Sequence, residues 1–319
     1  MPLHPLFADR LHLLADDSLS LLQKHQAFGA PLSQYQSPQL LVTDRTIDGP
    51  AGPIPVRLYS RADHGGHRKG HVAASPGLVW FHGGSFVFGD LNMTESDVVS
   101  RELAHRADAV VMAVDYRLVT ESVKFPAPLE DGHAALRWFA KHARHLGVDK
   151  KRVFVGGVSA GASLAASVSV MDRDSGQHLV RGQLLNCPFV HTALPAPSAE
   201  LADKLSELPA DLIFGADWAV GRNANLCPDG NLAAAAPHWF PGAVGSHSGL
   251  PPTQLINCEF DSLRASGELY GQQLAAAGVP VELSTAPGVP HAHLNRLPQD
   301  CAAVDQTIDD MVAFLTREH

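Results

Sequence analysis

Long hydrophobic runs are missing from this chain of 319 residues. No stretch approaches the roughly 20 apolar residues that a membrane-spanning helix needs. A basic surplus is missing too: 24 lysines and arginines face 33 aspartates and glutamates, a formal net charge of −9. That balance supplies no positive stripe, so neither a nucleic acid nor an anionic membrane is expected as a partner. The densest basic stretch, HGGHRKGH at 64–71, is short and glycine-rich and reads as a solvated loop. Cysteine is scarce. Cys187, Cys227, Cys258 and Cys301 are scattered without a CxxC pair, which fits reduced thiols in a cytoplasmic protein. The beginning of the sequence, MPLHPLFADRLHLL, has no basic lead, and Asp9 and Arg10 interrupt any signal-peptide core, so none is expected. Charged residues make up only 18% and aromatics 7%, against 45% hydrophobic, the profile of a soluble globular protein able to bury a sizeable core.

What is present is a change of rhythm along the chain. The first forty residues place leucines at helical spacing (Leu3, Leu6, Leu11, Leu14, then Leu19 and Leu22), which predicts two short amphipathic helices. Alternating segments at 41–47 and 54–59, parted by DGPAGP at 48–53, predict an antiparallel hairpin. From residue 77 onward apolar runs at 78–81, 109–114, 153–155, 184–187, 255–258 and 281–284 alternate with helical stretches at 95–106, 129–145, 159–171, 265–277 and 302–317. Runs that are apolar on both faces belong to a parallel sheet covered by helices. The fold class is therefore α/β, with a mainly parallel, doubly wound sheet in one domain over 1–319. Residues 190–250 break the pattern with a helical stretch at about 201–218 and no clear strand. An insertion of that length suits a cap or binding element.

Chemistry enters at 153–161, VFVGGVSAG, where Gly157-Val158-Ser159-Ala160-Gly161 joins a strand to a helix. G-x-S-x-G in that setting is a nucleophile elbow, which lifts a serine hydroxyl above the sheet and aims the next N–H and a helix dipole at a developing oxyanion. A chain rich in glycine, alanine and serine also produces this pattern by chance, so the placement carries the reading. A second strand, 78–81, runs directly into His82-Gly83-Gly84-Ser85-Phe86, the setting of an oxyanion-hole loop; an ordinary glycine turn is the plainer alternative. An acid and then a histidine must follow the serine. Asp261 stands just beyond the strand at 255–258, where it could equally cap a helix. His291 and His293 stand in the loop before the last helix, where an exposed pair or a two-histidine metal dyad is the alternative; no third ligand is evident, and no metal is expected. The other histidines, 18 in all, mostly lack ligand spacing.

Taken in order, HGGSF at 82–86, DYRL at 115–118, FPAPLEDG at 125–132, GVDKKRVFVGGVSAGAS at 147–163, GLPP at 249–252, EFDSLR at 259–264, AAAGVPVEL at 275–283 and GVPHAH at 288–293 resemble the hormone-sensitive-lipase-like esterases, bacterial esterase family IV. The resemblance implies an α/β-hydrolase fold with a helical cap from about 1–40 and 190–250. It implies hydrolysis of short acyl esters by Ser159 as nucleophile, His291 as base and Asp261 as acid, with no cofactor. The oxyanion hole would be Gly83, Gly84, Ser85 and Ala160, with N–H groups from the last three and Gly83 supporting the turn. The insertion at 190–250 leaves the sheet edge that bears Ser159, Asp261 and His291 and should roof the site, with Phe214 or Trp218 as wall residues; a homodimer through the last strand is in keeping with the family. Six positions depart from the pattern: Ser85, Val158, Ala162 and Ala292 replace the usual residues, and Val119 and Thr120 turn DYRLAPE into DYRLVTE. An amide or formamide hydrolase on the same residues, similar to the arylformamidases, is the alternative activity. A ligand receptor without catalysis is the alternative of another class.

Overall fold

The computed structural model of the protein describes residues 1–16, 18–61, 74–235 and 237–317, so the basic loop at 64–71 lies outside the described residues. Eight strands form one sheet in the order β1-β2-β4-β3-β5-β6-β7-β8. β1 (Leu41–Gly49) and β2 (Gly52–Ser60) are the expected hairpin, with Ile47 opposite Ile54 across the turn. β2 lies antiparallel to β4 (Val110–Val114). From there β3 (Ser75–Phe81), β5 (Val148–Val158), β6 (Gly182–Asn186), β7 (Thr253–Phe260) and β8 (Val281–Pro290) are all parallel to their neighbours.

Every residue of β3, β4, β6 and β7 is buried, which is why their apolar segments show no alternation, although β6 and β7 also bury polar residues such as Gln183 and Asn257. One core lies on the face covered by α4 (Ala127–His142), α5 (Ala160–Asp174) and α8 (Arg264–Ala276), through Leu129, Phe139, Leu164, Val168, Tyr270 and Leu274. The other lies under α3 (Thr94–Arg106) and α9 (Ala302–Thr316), through Val99, Leu103, Ile308, Met311 and Phe314. Burying each such side chain stabilises the fold by about 1.5–3 kcal/mol. Truncating a fully buried one such as Phe139 should cost about 3–5 kcal/mol.

Outside the sheet, the first residues form α1 (Pro5–Ala8), a 3-10 turn at Leu11–Ala15 and α2 (Leu21–Gly29). This segment is tied to the C-terminal ends of β7 and β8: the Met1 ammonium meets Glu259 at 2.7 Å and the His4 N–H donates to Gly288 O at 2.8 Å. Farther along, the Arg296 guanidinium donates to the carbonyls of Phe28 and Ala30. The expected single helical stretch at 201–218 is two helices instead. α6 (Ala199–Ser206) ends before Pro209, which has no amide hydrogen to continue a helix, and α7 (Ala216–Leu226) begins after a 3-10 turn at Ala210–Leu212. The later part of the insertion returns to the sheet's flank: Trp239, Phe240 and Leu250 join the core beside α5 and α8. Among the described residues no helix is long and apolar enough to cross a membrane, and the four cysteines are buried and unpaired.

Candidate active site

β5 ends at Val158 and α5 begins at Ala160, so the whole reversal falls on Ser159. Its backbone sits at φ 54° and ψ −116°, a strained conformation for a residue with a side chain. Crowding enforces it. A Cβ on Gly161 would lie 2.0 Å from Phe81 O, and one on Gly157 would lie 2.5 Å from the same atom. The Ser159 N–H donates to Asn186 O at 2.8 Å, pinning the turn to β6. At the next position the usual glycine is replaced by Ala162, which is buried without displacing the turn.

Asp261 follows β7 and is fully buried. Its Oδ1 accepts the Leu263 N–H at 2.9 Å in the turn ahead of α8, whose N-cap is Leu263 and not Asp261, and its Oδ2 meets His291 Nδ1 at 2.7 Å. A carboxylate can only accept, so Nδ1 carries the proton and Nε2 is left to accept from Ser159 Oγ at 2.9 Å. Burial disfavours the imidazolium of His291 and the Asp261 carboxylate favours it; the balance lies well above the ordinary histidine value. β8 runs farther than its alternating pattern predicts, to Pro290, and so delivers His291 directly to the serine. Ala292, where the family pattern has glycine, takes the left-handed conformation at φ 56°. His293 turns the other way. Its Nδ1 lies 3.2 Å from Cys258 Sγ, its Nε2 is 2.9 Å from Thr307 Oγ1, and burial, helped by the nearby His291, pushes its pKa down to about 3. The two histidines therefore do not converge as a metal dyad.

The HGGSF loop lies across β5 from this chain of bonds. His82 is fully buried and stacked on Tyr116, ring centroids 4.4 Å apart, and Tyr116 OH donates to His82 O at 2.8 Å. Gly84 stands at φ 105° with a Cβ position only 2.0 Å from Phe88 O, so the reversal needs glycine there. Ser85 is held at φ 53° where the family pattern has glycine. The N–H groups of Gly84, Ser85 and Ala160 make no hydrogen bond within the described residues. Gly83 differs: its N–H donates to Glu95 Oε1 at 2.6 Å, so it fixes the loop and is not a free donor. Glu95 escapes sequence reasoning because only tertiary contacts define it. It is 1% exposed, its Oε2 accepts from Asn295 Nδ2 at 2.8 Å, and burial raises its carboxyl to about 7. A Cβ on Gly83 would meet both Glu95 Oε1, at 2.4 Å, and the Val158 carbonyl, at 3.2 Å.

A family model described as the alpha/beta hydrolase fold matches residues 78–295, which spans the loop, the elbow, Asp261 and His291. Esterase LipI of Mycobacterium tuberculosis is 38% identical over 87% of this chain and 82% of its own length. The chain is an α/β-hydrolase-fold enzyme of the hormone-sensitive-lipase-like esterase family. The carboxylic ester hydrolase LipN of the same organism is 33% identical over 96% of this chain and 79% of its own. A hyperthermophilic esterase from the archaeon Pyrobaculum calidifontis superimposes with a TM-score of 0.80 at 30% identity, covering 99% of this chain and 98% of that one. The protein is thus a carboxylic ester hydrolase, and these relatives do not favour the amide-hydrolase alternative or a receptor without catalysis. In this esterase Phe214 packs edge-on against His291 at 5.0 Å between centroids. Trp218 stands one layer back, 4.5 Å from Phe214 and 37% exposed.

Proposed function

We propose that this esterase hydrolyses short-chain acyl esters through Ser159, His291 and Asp261 by way of an acyl-enzyme. The observation that carries the reading is the unbroken run of hydrogen bonds from Asp261 Oδ2 through His291 to Ser159 Oγ, 2.7 and 2.9 Å long. Ser159 Oγ attacks the ester carbon while His291 Nε2 takes its proton. The carbonyl oxygen becomes an oxyanion and accepts from the N–H groups of Gly84, Ser85 and Ala160, whose lack of internal partners leaves them available. Collapse breaks the bond to the alcohol, which leaves with the proton from His291. Water then repeats the sequence on the acyl-enzyme and releases the carboxylate. Asp261 holds the tautomer and stabilises the imidazolium. Backbone donors supply the electrophilic stabilisation without any metal, so chelators should leave the rate unchanged.

Short acyl groups follow from the cover. Residues 1–40 and 190–250 form the cap in this reading, with Phe214 and Trp218 as wall residues. Each methylene gains about 0.8 kcal/mol while it finds apolar wall, and the gain stops when the pocket is full. Across a p-nitrophenyl ester series kcat/KM should peak between acetyl and hexanoyl and fall beyond octanoyl. A profile still rising at dodecanoyl would remove the capped pocket from the account. Four unpaired buried thiols fit the reducing cytoplasm. β8 is the last strand of the sheet and carries an exposed Leu283, which makes it the edge through which two copies would pair.

A further inference from the structure

Helix α7 carries one charge on its inner face that nothing in the mechanism uses. Ala219, Asn223 and Leu226 are fully buried on that face, and Arg222, itself partly buried, lies beside them. Its guanidinium carbon sits 5.1 Å from the centroid of Phe86 and 5.7 Å from that of Phe189. Both rings belong to the site. Phe86 directly follows Ser85 in the oxyanion loop, and Ser163 Oγ bridges Phe189 O at 2.7 Å to Ser159 O at 3.1 Å. One turn before Arg222, Trp218 rests on Phe214, which packs against His291. The helix therefore runs over the site from the base to the oxyanion loop.

Arg222 is held without a counter-ion. Arg106, Arg117 and Arg264 each meet two or more carboxylates. Among the described residues Arg222 meets none: Nη1 donates to Asn223 Oδ1 at 2.7 Å, and Nε is buried with no partner. Asn223 is itself locked, its Nδ2 donating to the carbonyls of His191 at 3.0 Å and Thr192 at 2.9 Å, so its Oδ1 holds the guanidinium in place. Burial lowers the Arg222 pKa to about 10, which leaves it charged at neutral pH. An unpaired cation in a partly dry site is destabilising until an anion reaches it. The chain carries a formal net charge of −9, so long-range attraction does not draw anions here, and the recognition must be local.

We propose that Arg222 anchors a carboxylate on the substrate, so that the site prefers esters bearing an anionic group near the scissile bond. This rests on the ester-hydrolase reading above and adds a substrate class to it. Either the acyl or the alcohol part can carry the carboxylate, and two matched pairs separate these sources: mono-p-nitrophenyl succinate against p-nitrophenyl butyrate, and 4-acetoxybenzoate against phenyl acetate. In at least one pair the anionic ester should have the higher kcat/KM, chiefly through a lower KM. Arg222→Gln should reduce that ratio by about tenfold or more, and Arg222→Lys should keep most of it. Added salt should weaken the preference in the wild type. The ratio is the readout, so a general loss of activity cancels. Neutral esters preferred in both pairs, or a ratio insensitive to Arg222→Gln, would overturn the proposal; should that variant not fold, the wild-type ratios and their salt dependence decide. Absence of hydrolysis of all four esters would instead strike the function itself.

Discussion

The turn at Ser159 and the helix that crosses above it meet at one site but are held by opposite means. The turn is fixed by backbone: glycines with no room for a Cβ, a strained φ at the serine, and an N–H bound to β6. Helix α7 is fixed by side chains: Asn223 bonded to two carbonyls, Arg222 between two rings, Trp218 partly in solvent. Backbone crowding leaves a chemical group one place to stand. Side-chain packing on a short helix leaves alternatives. In the proposed function the chemistry rests on the rigid region, and selectivity on the adaptable one.

The sharpest break of that contrast is Ser159→Ala, which should lower kcat by at least about 10^4-fold with the fold intact. Ester hydrolysis measured beside circular dichroism checks it, and activity within tenfold of wild type would show that the turn does not carry the chemistry. His291→Ala should fall nearly as far. His293→Ala should keep most of its turnover, and should lose instead about 1–3 kcal/mol of stability from the buried hydroxyl and thiol left behind, as read by denaturant unfolding. The pH profile separates the same pair: the acid limb of kcat/KM should lie above pH 6.5, because His291 must be neutral to act and its pKa is raised.

Glu95 tests whether the oxyanion loop is part of the rigid region. Glu95→Ala releases the Gly83 N–H and should reduce kcat by about 10–100-fold with less change in KM, below the loss expected for removing a donor outright. Glu95→Gln keeps an acceptor for Gly83 and should restore most of the rate. The charge has its own signature. The folded pKa is raised from 4.5 to about 7, so the folded state holds a proton that the unfolded chain has released between those values. Glu95 therefore makes stability decline as pH rises through that window, and Glu95→Gln should flatten the slope. The smallest effect belongs to the cover. Trp218→Ala should change short-ester kcat/KM by less than about tenfold, and should shift the preferred acyl length more than the rate.

How far the sequence was legible follows the same division. Parallel strands buried on both faces read as apolar runs, and the elbow is a local pattern of glycines, so both Ser159 and the sheet could be found along the chain. Asp261 is legible because it stands just past a buried strand, whereas His291 is legible only from its place before the last helix, since β8 runs farther than its alternating pattern predicts. Glu95 was missed because its partners, Gly83 and Asn295, lie 12 and 200 residues away. The break between α6 and α7 was missed because helical spacing continues on both sides of Pro209 and no strand marks the interruption. Arg222 has no local signature either: an arginine on an amphipathic helix looks solvated until the tertiary structure places rings on it.

The central claim is that Ser159 forms the covalent acyl-enzyme. Its most direct test is stoichiometric labelling with a fluorophosphonate ester, followed by intact mass and peptide mapping. The account predicts one adduct per chain, on the peptide containing Ser159, formed with loss of fluoride, blocked by substrate and absent in Ser159→Ala. An adduct on another residue, or hydrolysis that continues in fully labelled protein, would contradict it.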